Sequence, residues 1–280
     1  MTVLVFGKTG QVAQELQAQG DVMRLGRDAA DLTDPEACAA AIARNAPRAV
    51  INAAAYTAVD KAQEEEALAH TVNAEAPGAM ARACAGLGIP FLHISTDYVF
   101  DGSGEAPWQP GDTPAPINAY GRSKLAGEVA VREAGGQAAI LRTSWVFSTH
   151  GANFVKTMLR LSETRDALSI VDDQIGGPTP AGAIARALLV MSDKMIAGQA
   201  GGTWHIAGRP HVSWAEFARW IFRFAERDVT VTPIPSADYP TPAPRPRNSR
   251  LDCSSLLSDF GLARPDWKAN LRADVRRLMQ

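Results

Sequence analysis

Cysteine is scarce in this sequence. The chain has three cysteines in 280 residues, at positions 38, 84 and 253, and none forms a Cys-x-x-Cys pair. An odd and widely spaced set of cysteines argues against a disulfide framework and against a cysteine-based zinc site. The composition therefore predicts reduced thiols in a cytoplasmic protein, with neither a disulfide scaffold nor a zinc site.

An excess of charge and long apolar runs are also missing. The formal net charge is -2, which excludes a strongly basic nucleic-acid-binding protein. No apolar run reaches the roughly 20 residues that cross a bilayer, and the amino-terminal residues lack the basic region of a signal peptide. Hydrophobic residues make up 46% of the chain and charged residues 21%, as in an ordinary globular protein. We expect neither a nucleic acid nor a membrane as a partner.

Short β-branched apolar runs alternate with alanine-rich stretches in the first half of the chain. They predict strands over residues 3–6, 22–25, 49–52, 91–95 and 139–142. Helices are predicted over residues 11–19, 33–45, 71–87 and 120–133, with Thr33 and Glu36 as a capping box for the second. Strands that alternate with helices predict an α/β fold with a doubly wound parallel sheet, a Rossmann domain over residues 1–146.

The alternation weakens after residue 146. Helices are predicted over residues 153–164, 181–195 and 213–226, the last capped by Ser213. Six prolines lie between Pro233 and Pro246, so this stretch is predicted to be an extended surface loop rather than a helix or a central strand. We therefore expect residues 147–280 to form a smaller, mostly helical substrate-binding lobe, with segments that return to the sheet.

A glycine-rich turn joins the first predicted strand to the first predicted helix. Its sequence has the spacing Gly-x-x-Gly-x-x-Ala, a variant of the dinucleotide-binding fingerprint in which glycine permits the tight turn and the close approach of a pyrophosphate. Ala13 stands in place of the third glycine and is small enough for close packing of helix and strand. The cofactor-binding residues predicted here are Gly7, Lys8, Thr9, Gly10, Gln11 and Val12.

The end of the second predicted strand bears on the choice of cofactor. It reads Leu25-Gly26-Arg27-Asp28, without a clear acidic residue to bind the ribose 2′-hydroxyl of NAD. Arg27 can instead bind the 2′-phosphate of NADP, although it can equally be a solvated loop residue. Asp31 and Leu32 are predicted to flank the adenine. These residues favour NADPH and leave NADH open.

Tyr120 and Lys124 stand four residues apart at the start of a predicted helix, on one face. A nearby ammonium is expected to lower the pKa of the phenol from its usual value of about 10. Tyr120 can then donate a proton to a carbonyl oxygen whose carbon accepts a hydride, while Lys124 holds the nicotinamide ribose. Thr96 ends the fourth predicted strand, where its hydroxyl can polarise the same carbonyl or cap the turn beside Asp97.

The chain resembles the extended short-chain dehydrogenases/reductases and, among them, the dTDP-4-dehydrorhamnose reductase family. The matching runs cover most of the sequence: residues 6–12, 52–62, 95–100, 120–128, 142–147, 173–176 and 245–251. The resemblance implies hydride transfer from NAD(P)H to C4 of a 4-keto nucleotide sugar, with dTDP-L-rhamnose as the product. It implies Tyr120 as the proton donor and Lys124 as its partner.

The resemblance also implies substrate and cofactor contacts. Thr96 and Asp97 are expected to touch the sugar, and Trp145 to pack against the substrate. Residues Ala55, Tyr56 and Thr57 are expected to line the cofactor groove.

An arginine-rich loop and the family's metal complete the candidate sites. Arg247, with Arg245 and Arg250, can bind a diphosphate through guanidinium forks, unless this loop is simply solvated. Members of the family can bind Mg²⁺ at a homodimer interface through glutamates. Glu15 matches one of these, whereas Gly182 stands where a second is expected. A homodimer is a possible assembly.

Two other functions remain open from the sequence. A dehydratase or epimerase of the same superfamily would recycle its cofactor, and dehydratases carry an Asp-Glu pair after the threonine. Here Tyr98 follows Asp97, which argues against dehydration. A non-catalytic, NADP-binding regulatory subunit would have no need of Thr96, Tyr120 and Lys124.

Overall fold

The computed structural model describes residues 2–280. The strands are β1 (Val3–Phe6), β2 (Val22–Leu25), β3 (Ala49–Asn52), β4 (Phe91–Thr96), β5 (Ala138–Thr143), β6 (Val146–Phe147), β7 (Ala167–Val171), β8 (Ile175–Gly176), β9 (Thr179–Pro180), β10 (Gly202–Ile206), β11 (Val212–Ser213), β12 (Thr230–Ile234) and β13 (Asn248–Ser249). The helices are α1 (Gln11–Gln19), α2 (Pro35–Asn45), α3 (Glu66–His70), α4 (Ala76–Leu87), α5 (Ala119–Glu133), α6 (Phe154–Leu161), α7 (Ala181–Ile196), α8 (Trp214–Phe224), α9 (Ser254–Phe260) and α10 (Trp267–Leu278). Across residues 2–280, no helix combines the length and apolarity needed to cross a membrane.

A six-stranded parallel sheet forms the centre of the molecule, in the order β2-β1-β3-β4-β5-β10. Apolar side chains cover both faces: Leu16 and Ile184 belong to one core cluster, and Ile42 and Met80 to the other. The predicted doubly wound α/β fold is thus confirmed. The chain leaves β1 toward β2 and then crosses to β3 on its other side, which creates a switch point where such sheets bind ligands.

Two helices begin at residues other than those predicted. Asp34, not Thr33, caps α2: its side chain accepts a hydrogen bond from the N–H of Ala37 at 3.0 Å, and Pro35 occupies the first turn. The helix expected from residue 71 already starts at Glu66 and runs through a π-helical turn over 71–75 into α4. The start of α2 is set by the side-chain hydrogen bond of Asp34, which the apolar pattern does not record.

The second part of the chain has its own core. Helices α6, α8 and α10 pack with β7 around aromatic and aliphatic side chains that include Phe217 and Trp267. The proline-rich stretch is more ordered than a simple loop: Pro233 lies in β12, which pairs with β7 alone within residues 2–280, and residues 236–238 form a 3-10 turn. A proline is tolerated there because this two-stranded sheet leaves one edge of β12 unpaired. Strand β10 joins the central sheet beside β5.

Candidate active site

The sheet's switch point opens into a cleft of ≈ 1020 Å³, which is large enough for a dinucleotide and part of a substrate. The loops after β1, β2, β3, β4 and β5 line this cleft, together with the first residues of α6 and α8. Sixteen of the predicted site residues line this cleft: Gly7, Lys8, Thr9, Gly10, Gln11, Val12, Arg27, Asp31, Leu32, Ala55, Thr57, Thr96, Asp97, Tyr120, Lys124 and Trp145.

The glycine-rich turn is shaped to receive an anion. Gly7 has a φ of 118°, and a Cβ at this position would lie 3.3 Å from the carbonyl of Ala53. Gly10 is the N-cap of α1 and supplies no side-chain cap, which leaves the first N–H groups of this helix for a ligand. The Gln11 side chain faces the protein: its carbonyl oxygen accepts hydrogen bonds from Ser148 and Asn153, at 2.9 and 3.0 Å. The turn therefore fits a pyrophosphate through its backbone.

Arg27 stands at the mouth of the cleft. Its side chain is 85% exposed, and its Nε lies 3.8 Å from Oδ2 of Asp31. A hydrogen bond from the backbone of Thr33 is the main cause that lowers the pKa of Asp31. A guanidinium held so loosely is free to bind a phosphate that enters the cleft.

Helix α5 carries Tyr120 and Lys124. Asn118 caps the start of this helix, since its side chain accepts a hydrogen bond from the N–H of Gly121 at 2.8 Å. Lys124 is 2% exposed. Its Nζ donates to the carbonyl of Ile94 at 2.8 Å and lies 3.2 Å from Nε2 of His93. Burial lowers the pKa of Lys124 to about 8.

The expected lowering of the Tyr120 pKa is wrong in this geometry. Burial raises this pKa above its usual value, the nearby Asp97 raises it further, and a hydrogen bond with Thr96 opposes both. Lys124 instead directs its ammonium or amine toward the strand β4 carbonyl. A half-buried phenol with a raised pKa stays protonated at neutral pH, so Tyr120 carries the proton that a donor must supply.

Thr96 caps the turn beside Asp97, which is one of the two roles that its sequence position left open. Its Oγ1 accepts a hydrogen bond from the N–H of Tyr98 at 3.2 Å, as a turn cap, and donates to Oδ1 of Asp97 at 3.0 Å. Asp97 is 2% exposed, and its Oδ2 has no hydrogen-bond partner. Burial raises the pKa of Asp97 to about 6. This orphaned oxygen is a group that a substrate hydroxyl can satisfy.

Trp145, Trp214 and Phe154 form an aromatic cluster in the cleft, of which the sequence predicted only Trp145. The Trp145 ring stacks on that of Trp214, with centroids 3.6 Å apart, and Phe154 packs against Trp214. Gly176 makes room for the indole, since a Cβ there would lie 2.6 Å from the ring. Trp214 and Phe154 also line the cleft, and nothing in their local sequence pattern distinguishes them from core residues.

Two predicted site residues lie outside the cleft. The Tyr56 hydroxyl donates to Glu65 at 2.6 Å, so the ring does not line the groove between Ala55 and Thr57. Arg247 is 71% exposed at its side chain, and its Nε lies 3.7 Å from Asp173. The cofactor contact of the Tyr56 side chain and the substrate contact of Arg247 are thus not supported by this arrangement.

The residues at the position of the family's Mg²⁺ site do not form a metal site within one chain. Glu15 lies beside Gly182, whose Cβ would be 3.1 Å from the Glu15 carboxylate, so no second carboxylate comes from that position. The Glu15 carboxylate instead lies 3.5 Å from Nε2 of His150. Across residues 2–280, no group of three or more His, Cys, Asp or Glu side chains could hold a metal ion.

Comparisons with known proteins agree with this geometry. The family model of the RmlD substrate binding domain matches residues 1–279. The dTDP-4-dehydrorhamnose reductase of Sinorhizobium fredii is 44% identical over 290 residues, covering 100% of this chain and 98% of the relative.

Two solved structures share the whole fold. The dTDP-4-dehydrorhamnose reductase of Clostridium acetobutylicum superposes with a TM-score of 0.93 at 37% identity, covering 100% of both chains. That of Bacillus anthracis, solved in complex with NADP, gives a TM-score of 0.91 at 35% identity, covering 99% of this chain and 100% of that one. On this similarity in sequence and in structure, the chain belongs to the dTDP-4-dehydrorhamnose reductase family.

Proposed function

We propose that the chain reduces the C4 ketone of dTDP-4-dehydro-L-rhamnose to dTDP-L-rhamnose with NADPH or NADH. The observation that carries this proposal is one cleft that holds an anion-binding turn, a phenol, a buried lysine and a threonine hydroxyl. Relatives that match the chain from end to end bear the name of this reductase. Homodimer formation and a cytoplasmic location stay predictions.

The residues of the cleft divide the chemistry among them. The reduced nicotinamide supplies the hydride when it is bound. Tyr120 donates a proton to the carbonyl oxygen, and the Thr96 hydroxyl polarises that oxygen. Lys124 is assigned to hold the nicotinamide ribose. The pyrophosphate binds the α1 N-terminus at Gly10.

The substrate occupies the part of the cleft beyond Tyr120. The stacked rings of Trp145 and Trp214 offer an apolar wall for a deoxysugar, and the free oxygen of Asp97 can accept a hydrogen bond from a sugar hydroxyl. Dehydration receives no support here, because Tyr98 packs edge-on against Tyr120 with centroids 5.7 Å apart. A second carboxylic acid is absent from that position.

A single assay separates reduction from the alternatives. Purified protein is given dTDP-4-dehydrorhamnose and NADPH, and oxidation of NADPH is compared with the amount of dTDP-rhamnose formed. We expect one NADPH to be consumed per sugar reduced. Conversion of the sugar to an isomer or a dehydrated sugar without net NADPH consumption would indicate an epimerase or dehydratase, and neither sugar conversion nor NADPH oxidation would favour a regulatory subunit.

Arg27 is predicted to set the preference between the two cofactors. Replacing Arg27 with Ala removes the guanidinium that binds the 2′-phosphate, so KM for NADPH should rise about tenfold. KM for NADH, which lacks this phosphate, should stay within about twofold in the same assays. Equal effects on both cofactors would contradict the assignment of Arg27.

A further inference from the structure

Trp145 has an unusual backbone conformation between β5 and β6. Its φ is 50°, in the left-handed region that bulky residues rarely adopt unless the surrounding structure holds them there. The Trp145 carbonyl accepts a hydrogen bond from the N–H of Thr179 at 3.1 Å. The hydroxyl of the preceding Ser144 donates to the carbonyl of Gly177, also at 3.1 Å. These contacts fix the main chain, whereas the indole, which lines the cleft, needs other contacts to fix its rotamer.

The ring of Trp145 is confined by two neighbours. It stacks on Trp214 with the centroids 3.6 Å apart and the ring planes inclined by 11°. A Cβ at Gly176 would lie 2.6 Å from Cε2 of the same ring, so a larger residue there would push the indole out of this position. Without Trp214, the Trp145 ring would be free to adopt other side-chain rotamers. The position of Trp145 therefore depends on how firmly Trp214 is held.

A chain of hydrogen bonds fixes the orientation of Trp214. Its indole Nε1–H can only donate, and it reaches Oε1 of Gln174 at 3.2 Å. The amide NH₂ of Gln174 therefore faces the other way, where it donates to Oγ of Ser236 at 2.9 Å. The Ser236 hydroxyl in turn donates to Oδ1 of Asp173 at 2.5 Å. Each donor in this chain meets an acceptor, so the indole of Trp214 has one favoured orientation.

A short three-stranded sheet brings these residues together. Strand β8 pairs antiparallel with β11 and parallel with β13. In this register Ser213, the residue before Trp214, lies opposite Ile175. The run 173–176 thus supplies both the anchor of Trp214 and the room for Trp145, although none of its four residues lines the cleft.

We propose that Trp214, oriented by Gln174, is a positioning residue that holds the Trp145 indole in the part of the cleft where the sugar binds. The identity of that sugar rests on the proposed function. A ring that is already in place spares the substrate the entropic cost of ordering it, which lowers the KM for the sugar. The pyrophosphate of the cofactor binds at Gly10 instead, so the loss of Trp214 should leave the affinity for NADPH nearly unchanged.

The position of the Trp145 ring can be measured without any assay of activity. The cofactor-free protein is labelled with 5-fluorotryptophan, and Trp145→Phe identifies the Trp145 line in the ¹⁹F spectrum by its loss. We expect Gln174→Leu to move or broaden that line, because it removes the acceptor that orients Trp214. The control Trp220→Leu lies on the same helix, where the ring packs on Phe224 outside the cleft, and it should leave the Trp145 line in place. An unmoved Trp145 line in Gln174→Leu would overturn the proposal.

Kinetic constants separate a positioning role from a merely structural one. In Trp214→Leu we expect KM for dTDP-4-dehydrorhamnose to rise about tenfold, while the Kd of NADPH changes less than about twofold. Trp214→Phe keeps an aromatic face for the stack and should lie between the wild type and Trp214→Leu in KM. Trp220→Leu should change neither constant.

Several results would contradict this role of Trp214. They are an unchanged KM in folded Trp214→Leu, an equal rise in the Kd of NADPH, the same rise in KM in Trp220→Leu, and a KM for Trp214→Phe as high as that for Trp214→Leu. If Trp214→Leu does not fold, Gln174→Leu and Trp214→Phe decide. An inactive wild-type protein whose Trp145 line responds to Gln174→Leu as expected would refute only the proposed function.

Discussion

Asp97 gives the most quantitative prediction for this protein. Its carboxyl group is 2% exposed, one oxygen has no hydrogen-bond partner, and burial raises its pKa to about 6 from 3.8. The folded state therefore binds this proton more tightly than the unfolded state does. Replacing Asp97 with Asn keeps the size and the acceptor for Thr96 but removes the charge.

The direction of the pH effect follows from linkage. Below pH 3.8 both states are protonated, so the carboxyl group imposes no penalty. Between pH 3.8 and about 6 the unfolded state releases the proton first, and stability falls as the pH rises. Above that range the buried Asp97 carboxylate lowers the free energy of unfolding by its full amount, about 3 kcal/mol for a pKa shift of about two units. The Asn variant should thus be more stable than the wild type by about 2–3 kcal/mol at pH 8, and nearly equal to it near pH 4.

Urea unfolding at several pH values measures this difference directly. The wild type, Asp97→Asn and the control Asp21→Asn, at an exposed position, are compared between pH 4 and pH 8. Taking the difference between curves cancels the titration of every other group. A stability difference that does not grow with pH, or an equal gain in the control, would refute the assignment of a buried, penalised carboxylate.

Two further predictions concern the packing that supports the cleft. Gly127→Ala should destabilise the fold by about 1–3 kcal/mol in urea unfolding, because its Cβ would lie 2.0 Å from the Asn73 carbonyl. Gly86→Ala, also helical but with nothing within 4 Å, should instead be neutral or stabilising, and equal costs would contradict the clash. Arg142→Met should cost about 3–5 kcal/mol, since it leaves the Glu128 carboxylate, which is 0% exposed, without its closest partner. Adding Glu128→Gln should recover part of this loss, and purely additive costs would show that the pair is not coupled.

The sequence predicted the parts of the site that depend on short-range pattern. The turn at Gly7 and Gly10 follows from its place between the first strand and the first helix, and Tyr120 and Lys124 share a face because helical geometry requires it. The ends of the strands of a parallel sheet meet at one edge, which brought Thr96 to the same cleft. These features need no knowledge of distant contacts.

The remaining parts depend on contacts between distant segments. The Tyr56 ring turns away because Glu65 accepts its hydroxyl, and Arg247 stays exposed beside Asp173. Neither contact has a signature in the local sequence. The pairing of Asn52 with His93 requires the register of β3 against β4. A periodicity argument finds both as buried strand residues but cannot place them opposite each other.

The role of Tyr120 is the central claim, and Tyr120→Phe tests it most directly. The variant keeps the ring and loses only the hydroxyl that donates the proton. We expect kcat for reduction of dTDP-4-dehydrorhamnose to fall by about 10²–10⁴, while the Kd of NADPH, measured by fluorescence titration, changes less than about twofold. An unchanged kcat would contradict the account.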